Sequence, residues 1–75
     1  MQVMVVIKSF KAGDGKLGHR FYIGTGPDDL EEAGTLNVPE AMSPLFRSAL
    51  LAGARQSKGQ VVFIFEGDDR SRPRD

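Results

Sequence analysis

Met42-Ser43-Pro44-Leu45-Phe46-Arg47-Ser48-Ala49-Leu50-Leu51-Ala52-Gly53 is the stretch on which the reading of this chain turns. Met42, Leu45, Phe46, Ala49, Leu50 and Gly53 recur at spacings of three and one, which gathers them on one face of an α-helix. Ser43-Pro44 marks a start. Serine accepts a hydrogen bond from a first-turn amide, and proline suits the first helical position, where an N–H would lack an intrahelical acceptor. Val38–Ala41 either opens the helix early or forms a separate turn. The helix is expected to reach Gln56 or Ser57, with Gly59 stopping it. A one-sided helix of this kind needs an apolar sheet beneath it.

The chain supplies strands on either side. Val3-Met4-Val5-Val6-Ile7 is rich in β-branched residues, and Lys8-Ser9-Phe10-Lys11 continues it with alternation. Ala12-Gly13-Asp14-Gly15-Lys16 is turn chemistry, and His19–Ile23 reads as the return strand. A two-residue Asp14-Gly15 loop would set Phe21 against Lys8. A three-residue loop, Gly13-Asp14-Gly15, sets Phe21 against Ile7 and Ile23 against Val5, and so collects Val3, Val5, Ile7, Phe21 and Ile23 on one face. Register follows the buried pattern, so the three-residue loop is expected, with Gly15 left-handed. Pro27–Gly34 reads as one acidic helical turn or a loop, Thr35–Asn37 as connection, and Gln60–Glu66 as the third strand. The expected fold is α+β: a three-stranded, mainly antiparallel sheet with one principal helix on one face. The third strand would lie antiparallel to the first, on the side away from the second, or parallel to the second by a crossover. A single ββαβ domain would span 1–67. Residues 68–75 have nothing apolar to bury and read as a disordered charged tail.

The chain has 75 residues, no cysteine and one histidine. A core of this size supplies about 3–5 kcal/mol of net stability. Disulfides, thiolate metal sites and a histidine-rich metal site are excluded within one chain. Very good packing or oligomerisation remains as support. No apolar run is long enough to span a bilayer, and no basic-then-apolar leader opens the sequence, so a cytoplasmic location is expected. Net charge is zero, but the charges are sorted. Basic residues crowd the hairpin, whereas Asp28, Asp29, Glu31, Glu32 and Glu40 carry five negative charges with no base between 21 and 46. Zero net charge argues against a generic polyanion binder, while local patches can still steer a partner.

One helix cannot cover two faces of a sheet. With Val3, Val5, Ile7, Phe21 and Ile23 facing the helix, Met4, Val6, Phe10, Tyr22, Val62 and Ile64 face away. An apolar outer face marks an interface, unless segment 27–41 folds back over it through Leu30, Leu36 and Val38. The expected function is therefore a small non-enzymatic interaction or regulatory module. It would act as a homodimer or on a protein partner through the sheet face or an edge, with Asp28, Asp29, Glu31 and Glu32 steering a basic partner. The alternative is a nucleic-acid-binding regulator using Lys8, Lys11, Lys16, His19 and Arg20 among the hairpin aromatics, together with the arginines of the tail.

Other motifs lead to no chemistry. Gly13-Asp14-Gly15-Lys16-Leu17-Gly18 spells a dinucleotide fingerprint, but a strand follows the glycines instead of the required helix. His19 reads as an ordinary surface or edge histidine, since no cysteine exists and no serine sits in a recognisable nucleophile setting. The acidic stretch lacks calcium-loop spacing. No cofactor, metal, membrane or small-molecule substrate is implied. A hairpin followed by Asp28-Asp29-Leu30-Glu31-Glu32-Ala33 resembles the opening of HicB-type antitoxins, in which a sheet precedes a short acidic helix. The likeness covers the first half of the chain, and neither residues nor activity carry over from it.

Overall fold

The computed structural model describes residues 2–66; the 68–75 tail lies outside the described residues. Strands β1 (Val3–Gly13), β2 (Lys16–Gly24) and β3 (Glu31–Pro39) follow one another. A 3-10 turn at Glu40–Met42, helix α1 (Ser43–Gln56) and strand β4 (Val61–Glu66) complete the described residues. The sheet order is β3-β2-β1-β4. β1 and β2 are antiparallel, β2 and β3 are antiparallel, and β4 runs parallel to β1.

The α+β class and the helix on one face stand, but the three-stranded antiparallel sheet is corrected to four strands with mixed pairing. The missing strand is β3. Its sequence, Glu31-Glu32-Ala33-Gly34-Thr35-Leu36-Asn37-Val38-Pro39, has no sustained apolar alternation, and Val38 is its one buried residue. Pairing to β2, not propensity, makes it a strand, as happens at sheet edges. The acidic stretch is therefore strand and turn, not the helical turn of the antitoxin likeness. One added strand reverses the chain once more. β1 keeps its expected place between β2 and the last strand, and the last strand lies parallel to it instead of antiparallel.

The hairpin register is the expected one, with Ile7 opposite Phe21 and Val5 opposite Ile23. It arises differently from a simple three-residue loop. Asp14 and Gly15, at φ 55 and 72, form a tight turn, and a bulge between Lys11 and Gly13 supplies the extra residue. On the far side, Val3 N donates to Gln60 O at 2.7 Å and Gln2 Nε2 to Gly59 O at 3.0 Å. These bonds fix the start of β4 beside the start of β1. Ile7, fully buried, sits in register between Phe21 and Phe65 and centres the core, with Val5 and Val38 buried on the same face and Val6 on the other.

The helix ends where the sequence places its end, and Lys58 and Gly59 turn the chain out of it at φ 57 and 88. Its start and facing differ. Ser43 makes no side-chain cap; its hydroxyl points to His19. Of the six-residue stripe, only Phe46 and Leu50 are half-buried, while Leu45 is 64% exposed and Met42 47%. The reason is the crossing. The chain must pass from the β3 edge to the β4 edge, roughly 14 Å at ordinary strand spacing, on a helix about 21 Å long. α1 therefore spans the sheet obliquely. It is pinned by Ser43 at one end and at the other by Ser57, whose hydroxyl donates to Ala54 O and accepts from Val61 N.

On the outer face the Phe10 ring packs over Gly18, where a Cβ would overlap the Cζ end of the ring. Gly18→Ala should expel the ring and destabilise the domain by about 1–3 kcal/mol. Urea unfolding of the two proteins measures this, and equal midpoints would refute the packing assignment.

Candidate functional site

Cross-strand partners share a face, so one contact orients the whole sheet. Phe46 stacks on His19 at 4.8 Å between ring centroids and meets Phe21 edge-on at 6.2 Å. The helix therefore covers the face that carries Val5, Ile7, Ser9, His19, Phe21, Leu36 and Phe65. Met4, Val6, Phe10, Tyr22, Val62 and Ile64 lie together on the other face, in register across β1, β2 and β4. Segment 27–41 does not fold back over them, because β3 extends the sheet edge. That outer face is less open than a free apolar layer would be. Val6 is 4% exposed, Ile64 is 37%, and the rest are half-buried. A belt of Lys8–Glu66 and Arg20–Glu32 ion pairs, each 3.8 Å, crosses it, with Lys8 over the Tyr22 ring and Arg20 over Phe10.

The hairpin cations do not form one stripe. Lys8 and Arg20 lie on the outer face, Lys11 falls in register on the helix side, and Lys16 sits at the turn. His19 is corrected from a surface or edge histidine to a buried one, 6% exposed, because β3 converts β2 from an edge to an interior strand. The acids separate as well. Glu32 pairs with Arg20 on the outer face, and Glu31, opposite Ile23, belongs to the helix side. Asp29 closes the β2–β3 turn. Its carboxylate accepts from the Thr25 amide at 2.9 Å, the Gly26 amide at 3.0 Å and the Thr25 hydroxyl. Gly24 leaves room for it, since a Cβ there would meet Asp29 Oδ1 at 2.5 Å.

Two hollows open on the helix-bearing face, the first lined in part by α1 and the second by the sheet. The first, about 570 Å³, is lined by Ser9, His19, Ser43, Phe46, Arg47 and Phe65, among others. His19 Nδ1 bonds Ser9 Oγ at 3.0 Å and Nε2 bonds Ser43 Oγ at 3.2 Å. Arg47 lies over Phe65 at 4.4 Å. Sequence reasoning missed this cluster because its members come from β1, β2 and α1 with no local motif joining them. The second hollow, about 320 Å³, is floored by Val5, Phe21, Ile23, Gly34 and Leu36. Arg47 is on the β4 flank of α1, so Leu45, one helical step to the other side of Phe46, faces the β3 flank beside this groove. Ile23 and Leu36 on the sheet are 45% and 47% exposed. Among the described residues no cluster of three or more metal-ligating side chains occurs.

No protein-family model, curated protein or solved structure matches the chain.

The Asp29 carboxyl is held below its ordinary range, chiefly by the Thr25 hydroxyl and then by the Gly26 and Thr25 amides. A depressed folded-state pKa means that the turn is supported above the unfolded value and loses that support as pH falls through the folded one. The Thr25 and Gly26 amide resonances should therefore titrate with a midpoint below 3.8. Asp29→Asn should abolish the step, and a midpoint at or above the ordinary value would refute the assignment.

Proposed function

We propose that the domain is a protein-interaction module whose apolar hollow on the sheet, at the β3 side of α1, takes an apolar segment with basic flanks. The supporting observation is that the sheet floor of this hollow is apolar and open. Ile23 and Leu36 line it from the sheet at 45% and 47% exposed, and Leu45, 64% exposed, stands on the same side of the helix axis. Expected inner sheet residues thus face a space that the helix leaves unfilled. An apolar surface of this kind is the ordinary mark of an interaction site. The charge of the partner follows from the rim. Glu31 stands beside Ile23, Glu40 follows the end of β3, and no base occurs between residues 21 and 46. Such a field attracts cationic segments and speeds their encounter. The scattering of the hairpin cations over two faces favours a protein partner over a nucleic acid.

A labelled helical peptide of alternating leucine and lysine faces serves as probe, with a leucine–glutamate peptide of the same apolar spacing as control. Fluorescence anisotropy should show binding of the first, weakened by salt. Leu36→Asp and Leu45→Asp, both at exposed positions, should reduce the affinity at least about tenfold, a loss of roughly 1.4 kcal/mol. Ile64→Lys, on the opposite face, should leave it unchanged. If Ile64→Lys weakens binding and Leu45→Asp does not, the outer face is the contact surface. Equal binding of the acidic peptide would remove the charge assignment. Light scattering on the free protein covers the remaining occupant: a dimer dissolved by Leu45→Asp would make it a second copy of this chain.

A further inference from the structure

The hollow on the other flank of α1 holds a nucleophile, a base and an orienting group in hydrogen-bond contact, none of which the interaction reading uses. Ser43 Oγ is 3.2 Å from His19 Nε2, and His19 Nδ1 is 3.0 Å from Ser9 Oγ. Phe46 stacks on the imidazole and holds its plane. Ser43 is half-buried and lines the hollow of about 570 Å³, so its hydroxyl is reachable from there, and the imidazole beside it lines the same hollow. Leu17, Pro44, Phe46 and Phe65 give that hollow apolar walls, and Arg47 adds a cation. A serine hydroxyl in contact with a histidine that is itself oriented from its far nitrogen is the arrangement by which hydroxyl nucleophiles are activated.

We propose that Ser43 and His19 form an acyl-transfer site for small carboxylic esters with an apolar acyl or aryl group. With Nδ1 protonated and donating to Ser9, the lone pair on Nε2 accepts the Ser43 hydroxyl proton as Oγ adds to the ester carbonyl carbon. The tetrahedral adduct collapses as the carbonyl re-forms and the C–O bond to the leaving group breaks, and the alcohol departs with the proton held on Nε2. Water then repeats the sequence. It gives one proton to Nε2, adds to the acyl carbon and releases the carboxylic acid, and Ser43 Oγ recovers its proton from His19. Ser9 is the positioning residue, and the charge that develops on the carbonyl oxygen faces a hollow that contains the Arg47 guanidinium. Hydroxyl activation by a positioned base is worth about 100- to 10,000-fold, so a slow but measurable esterase is the expected level.

The experiment uses the full chain with p-nitrophenyl acetate and p-nitrophenyl butyrate. Peptide mapping by mass spectrometry locates the acyl group on the wild-type protein, and stopped-flow absorbance follows p-nitrophenolate. The expected result is acylation at Ser43 with a burst of one equivalent or less, lost in Ser43→Ala and in His19→Gln. The burst rate should depend on pH, because a protonated imidazole has no lone pair to accept the hydroxyl proton. Ser9→Ala should lower the acylation rate and alter that pH profile, whereas a purely structural serine would change neither in a folded variant. Acylation confined to lysines or the amino terminus, with Ser43 unmodified in the wild-type protein, overturns the proposal even if the variants fail to fold. A burst of equal size in folded Ser43→Ala overturns it as well. The burst is read without the peptide probe and the anisotropy without the ester, so the two sites fail independently.

Discussion

The contact between Phe46 and the pair His19 and Phe21 sets the position of everything on one side of this molecule. α1 has no fully buried residue and leaves most of its apolar stripe in solvent. A helix so lightly covered is located by a few specific contacts and not by a broad interface. Phe46 supplies the apolar one, stacked on one ring and edge-on to another. Ser43 supplies the polar one at the first turn, and Arg47 over Phe65 fixes the rotation about the helix axis.

The two hollows follow from that placement. The chain leaves β3 at one edge and must enter β4 at the other, so α1 lies obliquely over β2 and β1. Neither flank of the sheet is then fully covered. On the β3 flank the exposed walls are aliphatic and the surrounding charges acidic, which suits recognition of a cationic apolar segment. On the β4 flank the walls are aromatic and the polar groups are hydroxyls, an imidazole and a guanidinium, which suits chemistry on a small molecule. Burial acts on His19 in a second way: a histidine 6% exposed must place both ring nitrogens on partners, and Ser9 and Ser43 meet that need.

The outer face illustrates how a sheet limits its own exposure. Its apolar residues are close neighbours in register, so they shield one another, and Val6 is buried without any covering layer. The belt of Glu66, Lys8, Arg20 and Glu32, two cations between two acids, crosses the same face and divides Phe10 from Met4, Val6 and Tyr22. The aromatic rings under Lys8 and Arg20 hold the cations against the surface.

The hairpin, its register, the helix with its end, and the strand Val61–Glu66 were legible in the sequence, because each rests on local periodicity or turn chemistry. The Val5–Ile23 and Ile7–Phe21 pairs could be derived since a one-residue slip would turn the apolar set to the wrong face. β3 was not legible, because its residues bury almost nothing and its conformation comes from hydrogen bonding to β2. That one strand decided the parallel direction of β4, the burial of His19 and the oblique course of α1. The serines around His19 were equally invisible, since Ser9 and Ser43 lie 10 and 24 residues from it along the chain. Local sequence determined which segments form elements, and the tertiary structure alone decided which polar groups meet, because that depends on the strand order and on the path of the crossing helix.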